Sequence, residues 1–185
     1  ICFDKTGTIT KGHPEVQRFE VIGKQSVKTV LEIAQALESQ SEHPLAQSVL
    51  DYCWAKKVKK VAVMSFKAVT GKGVSGKIRS KVYYLGSSIY LNSLKINLKP
   101  VQKLLDELHA RGQTVLLVSD QRQVLGYFAV QDGVKESSRK AIELLKARGI
   151  KTLMMTGDHQ EVAMAIAAEV GIDEVLAQVT PQQKT

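Results

Sequence analysis

No stretch of this sequence approaches the roughly 18 to 20 consecutive apolar residues that a bilayer-crossing helix needs, and no leader with a charged start, an apolar middle and a small-residue cleavage site opens it. No segment therefore reads as a membrane span. Cysteine is nearly absent: Cys2 and Cys53 lie far apart, without CxxC or Cys/His spacing around them. That argues against a disulfide scaffold and against a zinc site, and points to a reducing compartment. Aromatic residues amount to 5% of the chain, with one tryptophan, and they do not interleave with basic residues. A stacking platform for nucleic acid is missing. Acidic residues are outnumbered 18 to 26, leaving a net charge of +8, which suits a polyanionic ligand such as ATP but also a nucleic acid or an anionic membrane surface. The basic residues are scattered (Lys56, Lys57, Lys59, Lys60, Arg79, Lys81, Arg111, Arg139) and read as solvated faces.

What is present is ordinary for a globular protein: 185 residues, 44% hydrophobic and 24% charged, enough to build a core. The chain opens on Ile1 with a strand already under way, so it reads as a piece of a longer chain. That opening, ICFDKTGTITKG, is its most informative stretch. A short apolar run is followed at once by a carboxylate, a lysine, threonines and a glycine. In an open α/β sheet the ligand crevice lies beyond the carboxyl ends of the strands, where Asp4 would stand. A strand ending in a plain Asp/Thr/Gly turn accounts for the same residues.

Along the chain, Glu15 to Ile22 reads as a strand. Ser26 can cap a helix with Val30, Leu31, Ile33, Ala34 and Leu37 at helical spacing. After the polar SQSEHP, Pro44 suits a first helical turn, and a second helix runs to Lys57 with Leu45, Val49, Leu50 and Trp54 on its apolar side. From Val58 to Leu85 the pattern is β, with Val61 and Val63 alternating before the glycine-rich TGKGVSGKI. A short helical piece follows Ser87, an amphipathic helix covers 99–111, and strands 114–118 and 124–130 form a hairpin. Beyond that the rhythm is helix (135–148), strand (150–155), helix (158–170) and short strand (175–177), with another helix from Pro181. That is the rhythm of a parallel sheet whose first strand is Ile1 to Phe3. We expect an α/β domain made of 1–11 and 129–185, its sheet incomplete, with an inserted α+β antiparallel-sheet domain at 12–128.

Three stretches converge at the carboxyl ends of the parallel strands: DKTGT, the TGD of Thr156-Gly157-Asp158, and Lys184. Asp4 is the candidate nucleophile, since a carboxylate can attack the γ-phosphorus of ATP to give an acyl phosphate. Backbone amides from Lys5 to Thr8 can approach phosphate oxygens across Gly7. Thr156 and the Gly157 amide, beside a helix start, can hold a phosphate oxygen, and Lys184 can neutralise developing charge. A simple N-cap by Asp158 explains TGD by itself.

FDKTGTIT resembles the phosphorylation signature of the P-type ATPases, and the α/β part resembles the haloacid dehalogenase-like superfamily. DGVKESSRKAI at 132, MMTGD at 154 and TPQQK at 180 follow in family order. SEHPL at 41–45 and GKGVSG at 71–76 resemble the nucleotide-binding domain of the heavy-metal-transporting class. The resemblance implies that Asp4 is phosphorylated, with Mg2+ held by its carboxylate and by the Thr6 carbonyl. Lys5, Thr6, Thr156, Gly157, Asp158 and Lys184 would serve the phosphoryl site, and Asp132 would lie at the hinge between domains, near the nucleotide. Glu38 would contact adenine, His43 would orient the nucleotide, and Gly71, Gly73 and Gly86 would let it lie against the sheet. It further implies an integral membrane parent with this segment on the cytosolic side, actuator and transmembrane domains as partners, and a transported transition metal, copper or a similar ion.

Phosphatases of the superfamily carry a second acid two residues after the nucleophile, which protonates the leaving group and activates water. Thr6 stands there, so the aspartyl phosphate is expected to persist. Two other fingerprints fail. Gly71, Gly73 and Gly76 satisfy GxGxxG, and Gly71, Gly76 and Lys77 satisfy GxxxxGK, but a strand-like IRSKVYYL follows where either needs a helix. A free-standing phosphohydrolase with a large cap domain and a non-catalytic nucleotide-binding module remain as alternatives.

The family's next motif, a GDGxND-like loop with another magnesium-binding aspartate, does not occur in the sequence. The 185-residue chain is therefore expected to bind ATP with little or no turnover. Abundant Asp4-dependent acyl phosphate trapped from it with labelled ATP is the contrary outcome.

Overall fold

Cys2 and Phe3 extend the backbone into β1 (Cys2–Asp4), which pairs in parallel with β8 (Leu153–Met155). β8 pairs in parallel with β9 (Glu174–Leu176) on its other side. This three-stranded sheet belongs to the first of two compact units in the computed structural model, which describes residues 1–179. The unit consists of Ile1–Pro14, Asp106–Thr114 and the described residues from Gln131 onward, and the second of Glu15–Leu105 and Val115–Val130. Lys184 and the helix expected from Pro181 lie outside the described residues.

In the first unit, α5 (Glu136–Ala147) and α6 (Gln160–Val170) supply the helices. α6 presents Val162, Ala163, Ile166, Ala167 and Val170 along one face, and these join Ile9, Ile142 and Met154 in a buried cluster. It ends where Gly171 takes φ +81° and donates its N–H to the Ala167 carbonyl at 2.8 Å. β8 is shorter than the expected 150–155. Thr152 instead donates its N–H and its hydroxyl to Asp173 Oδ2, at 2.9 and 2.8 Å. The Thr152 backbone N–H, then its hydroxyl, then Lys146 hold the Asp173 carboxyl below its usual range.

The second unit is built on an antiparallel sheet of order β2-β7-β6-β5-β4-β3. Its strands are β2 (Glu15–Val21), β3 (Met64–Val69), β4 (Gly73–Ile78), β5 (Lys81–Gly86), β6 (Thr114–Ser119) and β7 (Val124–Gln131). α1 (Val27–Glu38) starts where Ser26 Oγ accepts the Thr29 N–H at 3.1 Å, and it buries Val30, Leu31, Ile33, Ala34 and Leu37 as its spacing requires. α2 (Pro44–Ala55) has proline in its first turn. Its buried seam runs through Ala46, Val49 and Cys53, while Trp54, expected inside, is 52% exposed. α3 (Ser88–Ser93) follows, and α4 (Gln102–Ala110), preceded by one tight turn at Lys99–Val101, begins in this unit and has its residues from Asp106 onward in the first.

The strand expected from Val58 begins only at Met64. Val58, Val61 and Val63 pack against the apolar cluster under α1 and α2 without joining a strand. A register shift between Met64 and Lys67, with Ser65 at φ +52°, then marks the start of β3. Alternation there reflects packing rather than pairing.

Gly73 and Gly86 face each other across β4 and β5. A Cβ on Gly73 would lie 2.4 Å from the Leu85 carbonyl oxygen and 2.7 Å from Gly86 Cα, and one on Gly86 would lie 2.5 Å from the Lys72 carbonyl oxygen. The obstacles are backbone atoms, which cannot swing away. Gly73→Ala and Gly86→Ala should therefore each lower stability by about 1–3 kcal/mol without any ligand, read from urea unfolding midpoints. Val74 to alanine serves as the calibrating core truncation.

Candidate active site

The site grows from the end of β1. Asp4 closes the strand opposite Met155, with its side chain exposed. Lys5 to Ile9 then form a wide turn, closed where the Thr10 N–H donates to the Lys5 carbonyl at 3.1 Å. Within it Thr6 is extended (φ −73°, ψ 124°) and Gly7 adopts φ +74°, a conformation open to glycine. Lys5 turns inward, 7% exposed, and its Nζ lies 2.6 Å from Asp158 Oδ2. Removing one partner of so enclosed a pair typically costs roughly 3–5 kcal/mol, because the other charge is left uncompensated.

Thr156, Gly157 and Asp158 follow β8 directly. Thr156 is 2% exposed; its hydroxyl donates to Asp158 Oδ2 at 3.1 Å and accepts the Asp158 N–H at 3.2 Å. The Thr156 N–H donates to Leu176 and its carbonyl accepts from Val179, at 2.9 and 3.0 Å. The reading of Asp158 as a helix cap fails: His159 occupies the N-cap position of α6, without a side-chain capping bond, and Asp158 faces Lys5 instead. Gly157 is exposed.

Asp132 acts where the chain leaves and re-enters this unit. Its carboxylate accepts the Thr10 hydroxyl at 2.5 Å, the Gly12 N–H at 3.0 Å and the His13 N–H at 3.2 Å. The Lys11 N–H donates to the Gly133 carbonyl at 2.8 Å alongside. Thr10, fully buried, stood inside the quoted signature without an assigned role. Two further groups brace the turn: Lys135 Nζ reaches the Gly7 carbonyl at 2.5 Å, and Ser138 Oγ donates to the Thr8 carbonyl at 3.2 Å. Both residues lie in the DGVKESSRKAI stretch, so the motif was visible but its contact was not.

The two Mg2+ ligands implied by resemblance, the exposed Asp4 carboxylate and the carbonyl of extended Thr6, are both hard oxygens. That set fits Mg2+ in kind.

The remaining candidates lie in the second unit. Glu38 is the last residue of α1, 4% exposed, with Oε2 lacking a hydrogen-bond partner. Burial raises its carboxyl to about pH 7, against a smaller lowering effect from the Ser41 hydroxyl. His43 caps α2: its Nδ1 accepts the Leu45 N–H at 3.2 Å, which leaves the ring proton on Nε2. Gly71 is exposed at φ +69° with open space around it, unlike Gly73 and Gly86. Cys53 is buried, its thiol pushed up to about 12 by desolvation, and so inert, while Cys2 is exposed.

The sequence profile of a hydrolase family, haloacid dehalogenase-like hydrolase, matches residues 1–185. The chain is 37% identical over 184 residues to a copper-exporting P-type ATPase of Staphylococcus haemolyticus, all of it aligning with 22% of that protein. It is 37% identical over 190 residues to a probable cadmium-transporting ATPase of Alkalihalophilus pseudofirmus, all of it aligning with 26%. It thus spans about a quarter of the length of these curated relatives. Among solved structures, the catalytic domain of the CPx-ATPase CopB-B, studied for conformational changes upon nucleotide binding, matches with a TM-score of 0.74 at 26% identity, covering 99% of this chain and 62% of that one. No helix among the described residues is long and apolar enough to cross a membrane. With an acid at the end of its first parallel strand and a TGD loop at the end of the neighbouring one, the chain belongs to the haloacid dehalogenase-like hydrolase family and is homologous to the catalytic region of heavy-metal P-type ATPases.

Proposed function

We propose that this chain is the nucleotide-binding and phosphoryl-accepting part of an ATP-driven heavy-metal transporter, that residues 12–128 form the inserted nucleotide-binding domain, and that Asp4 is the acceptor. The observation that carries this reading is the parallel register of Asp4 with Met155, joined to the 2.6 Å Lys5–Asp158 pair. An Asp4 carboxylate oxygen attacks the γ-phosphorus, the bond from that phosphorus to the bridging oxygen breaks, and ADP leaves with the electron pair. Lys5 and Asp158 hold the two strand ends in register. The Gly157 amide and Lys184 offer donors for the transferred group. The Asp4 carboxylate and the Thr6 carbonyl would hold Mg2+, which would supply charge neutralisation. The transported ion, the membrane helices and the actuator domain belong to the parent protein, with this segment on its cytosolic side.

Glu38 suits adenine recognition. A protonated carboxyl offers one donor and one acceptor, the complement of adenine N1 and the N6 amine. The orphaned Oε2 marks capacity for such a partner. ATP binding to the chain, followed by calorimetry, is expected to weaken as pH rises through about 7, because the proton that serves N1 is lost there. Glu38→Gln, which keeps a donor and an acceptor, should bind with a flat pH profile, and Glu38→Ala should bind weakly throughout. Equal affinities in all three proteins contradict this assignment of Glu38.

In the parent protein, hydroxylamine-sensitive labelling from γ-labelled ATP should vanish in Asp4→Asn. Thr6→Asp should shorten the life of the acyl phosphate by about 10²-fold or more, by restoring an acid/base beside it. Steady phosphate release by the unaltered chain would instead favour a free-standing phosphohydrolase.

A further inference from the structure

We propose that His109, His159 and Glu161 bind a divalent transition-metal ion, at a site additional to the one at Asp4. One ligand atom from each residue lies within 4.8 Å of the other two, and all three residues fall in the first unit. A tetrahedral ion with bonds of about 2.0–2.1 Å draws its ligand atoms to roughly 3.4 Å apart, so closing the set requires the side chains to turn, the two imidazoles unstacking until their nitrogens converge on the ion.

The backbone beneath the cluster is fixed on both sides. His159 and Glu161 stand at the N-cap and in the first turn of α6. His109 is in the last turn of α4, 7% exposed. The chain then turns at Gly112, φ +72°, whose N–H donates to the His109 carbonyl at 2.9 Å. A Cβ at Gly112 would meet Ala165 and Ile166 at 3.5 and 3.6 Å, so this turn packs against α6. The two imidazoles consequently stack, with ring centroids 4.6 Å apart and planes 22° from parallel.

The donor set selects the ion. Two imidazoles and one carboxylate suit Zn2+, Ni2+ or Cu2+ and not Mg2+, which takes an all-oxygen octahedron. Three protein ligands leave a coordination position open to water, and partly exposed His159 gives the ion a way in. No spacing rule reveals the site, because His109 and His159 come from segments fifty positions apart. The proposal is independent of phosphorylation at Asp4.

The test is a Zn2+ titration of the 185-residue chain in competition with a chromophoric chelator, with millimolar Mg2+ present. One equivalent should bind, with affinity reduced about tenfold or more in His159→Gln and His109→Gln, reduced less in Glu161→Gln, and unchanged in Cys2→Ser and His13→Gln. Because His109 is buried, circular dichroism checks the fold of that variant, and partly exposed His159→Gln carries the decision. With Cu2+ as probe, electron paramagnetic resonance should report two nitrogen ligands, falling to one in His159→Gln. Absence of stoichiometric binding, affinity unchanged in His159→Gln, or loss confined to Cys2→Ser or His13→Gln overturns the proposal.

Discussion

The geometry of the first unit depends on one short parallel pairing. β1 and β8 run in register, Cys2 with Leu153 and Asp4 with Met155, so both strands end at the same level and whatever follows them meets beyond that edge. Asp4 ends one strand, and Thr156, Gly157 and Asp158 follow the other. Three residues per strand make few ladder bonds, and the pairing is held from elsewhere. Met154 is fully buried among Ile142, Val162 and Ile166, β9 pairs on the far side of β8, and Lys5 reaches inward to Asp158. That ion pair crosses the gap between the two loops and keeps a carboxylate and an ammonium in an otherwise enclosed place, where each is tolerable only because the other is present.

A second constraint concerns how a chain can leave a sheet for more than a hundred residues and still return to it. Asp132 answers it with a single carboxylate that accepts from Thr10, Gly12 and His13. The same few residues carry the backbone bonds of Lys11 to Gly133 and of Lys135 to Ile9. Exit and re-entry are thereby fastened to each other beside the turn that follows Asp4. The nucleotide role implied by resemblance and this clamping role are compatible, and the clamp is the one whose partners the structure contains. Within the second unit Gly73 and Gly86 are likewise required by each other, since two strands approach too closely there for a side chain on either.

Much of this was legible in the residues. The periodicity of Val30, Leu31, Ile33, Ala34 and Leu37, the Ser26 cap, Pro44 at a first turn and Gly171 at a helix end are local signals, and the structure carries them. The opening signature and the TGD loop pointed to one crevice through the rule that parallel strands present ligands at their carboxyl ends. Failures came where a local pattern had two explanations. Val61 and Val63 alternate because they pack on helices, not because they pair. Trp54 fits an apolar face by spacing, yet the seam of α2 passes through Ala46, Val49 and Cys53. Asp158 has the right position for a cap, but a lysine 153 positions earlier takes its carboxylate.

By itself the sequence determined the elements, their order and the family motifs, because caps, periods and contiguous signatures are written within a turn or two of chain. Tertiary structure alone decided the partners. That Asp158 meets Lys5, that Asp132 grips Thr10, that Gly73 touches Gly86 and that His109 stacks on His159 all follow from how the chain returns on itself. A hydrogen bond or a metal site is decided within about 3 Å in space, and no spacing along the sequence encodes that distance.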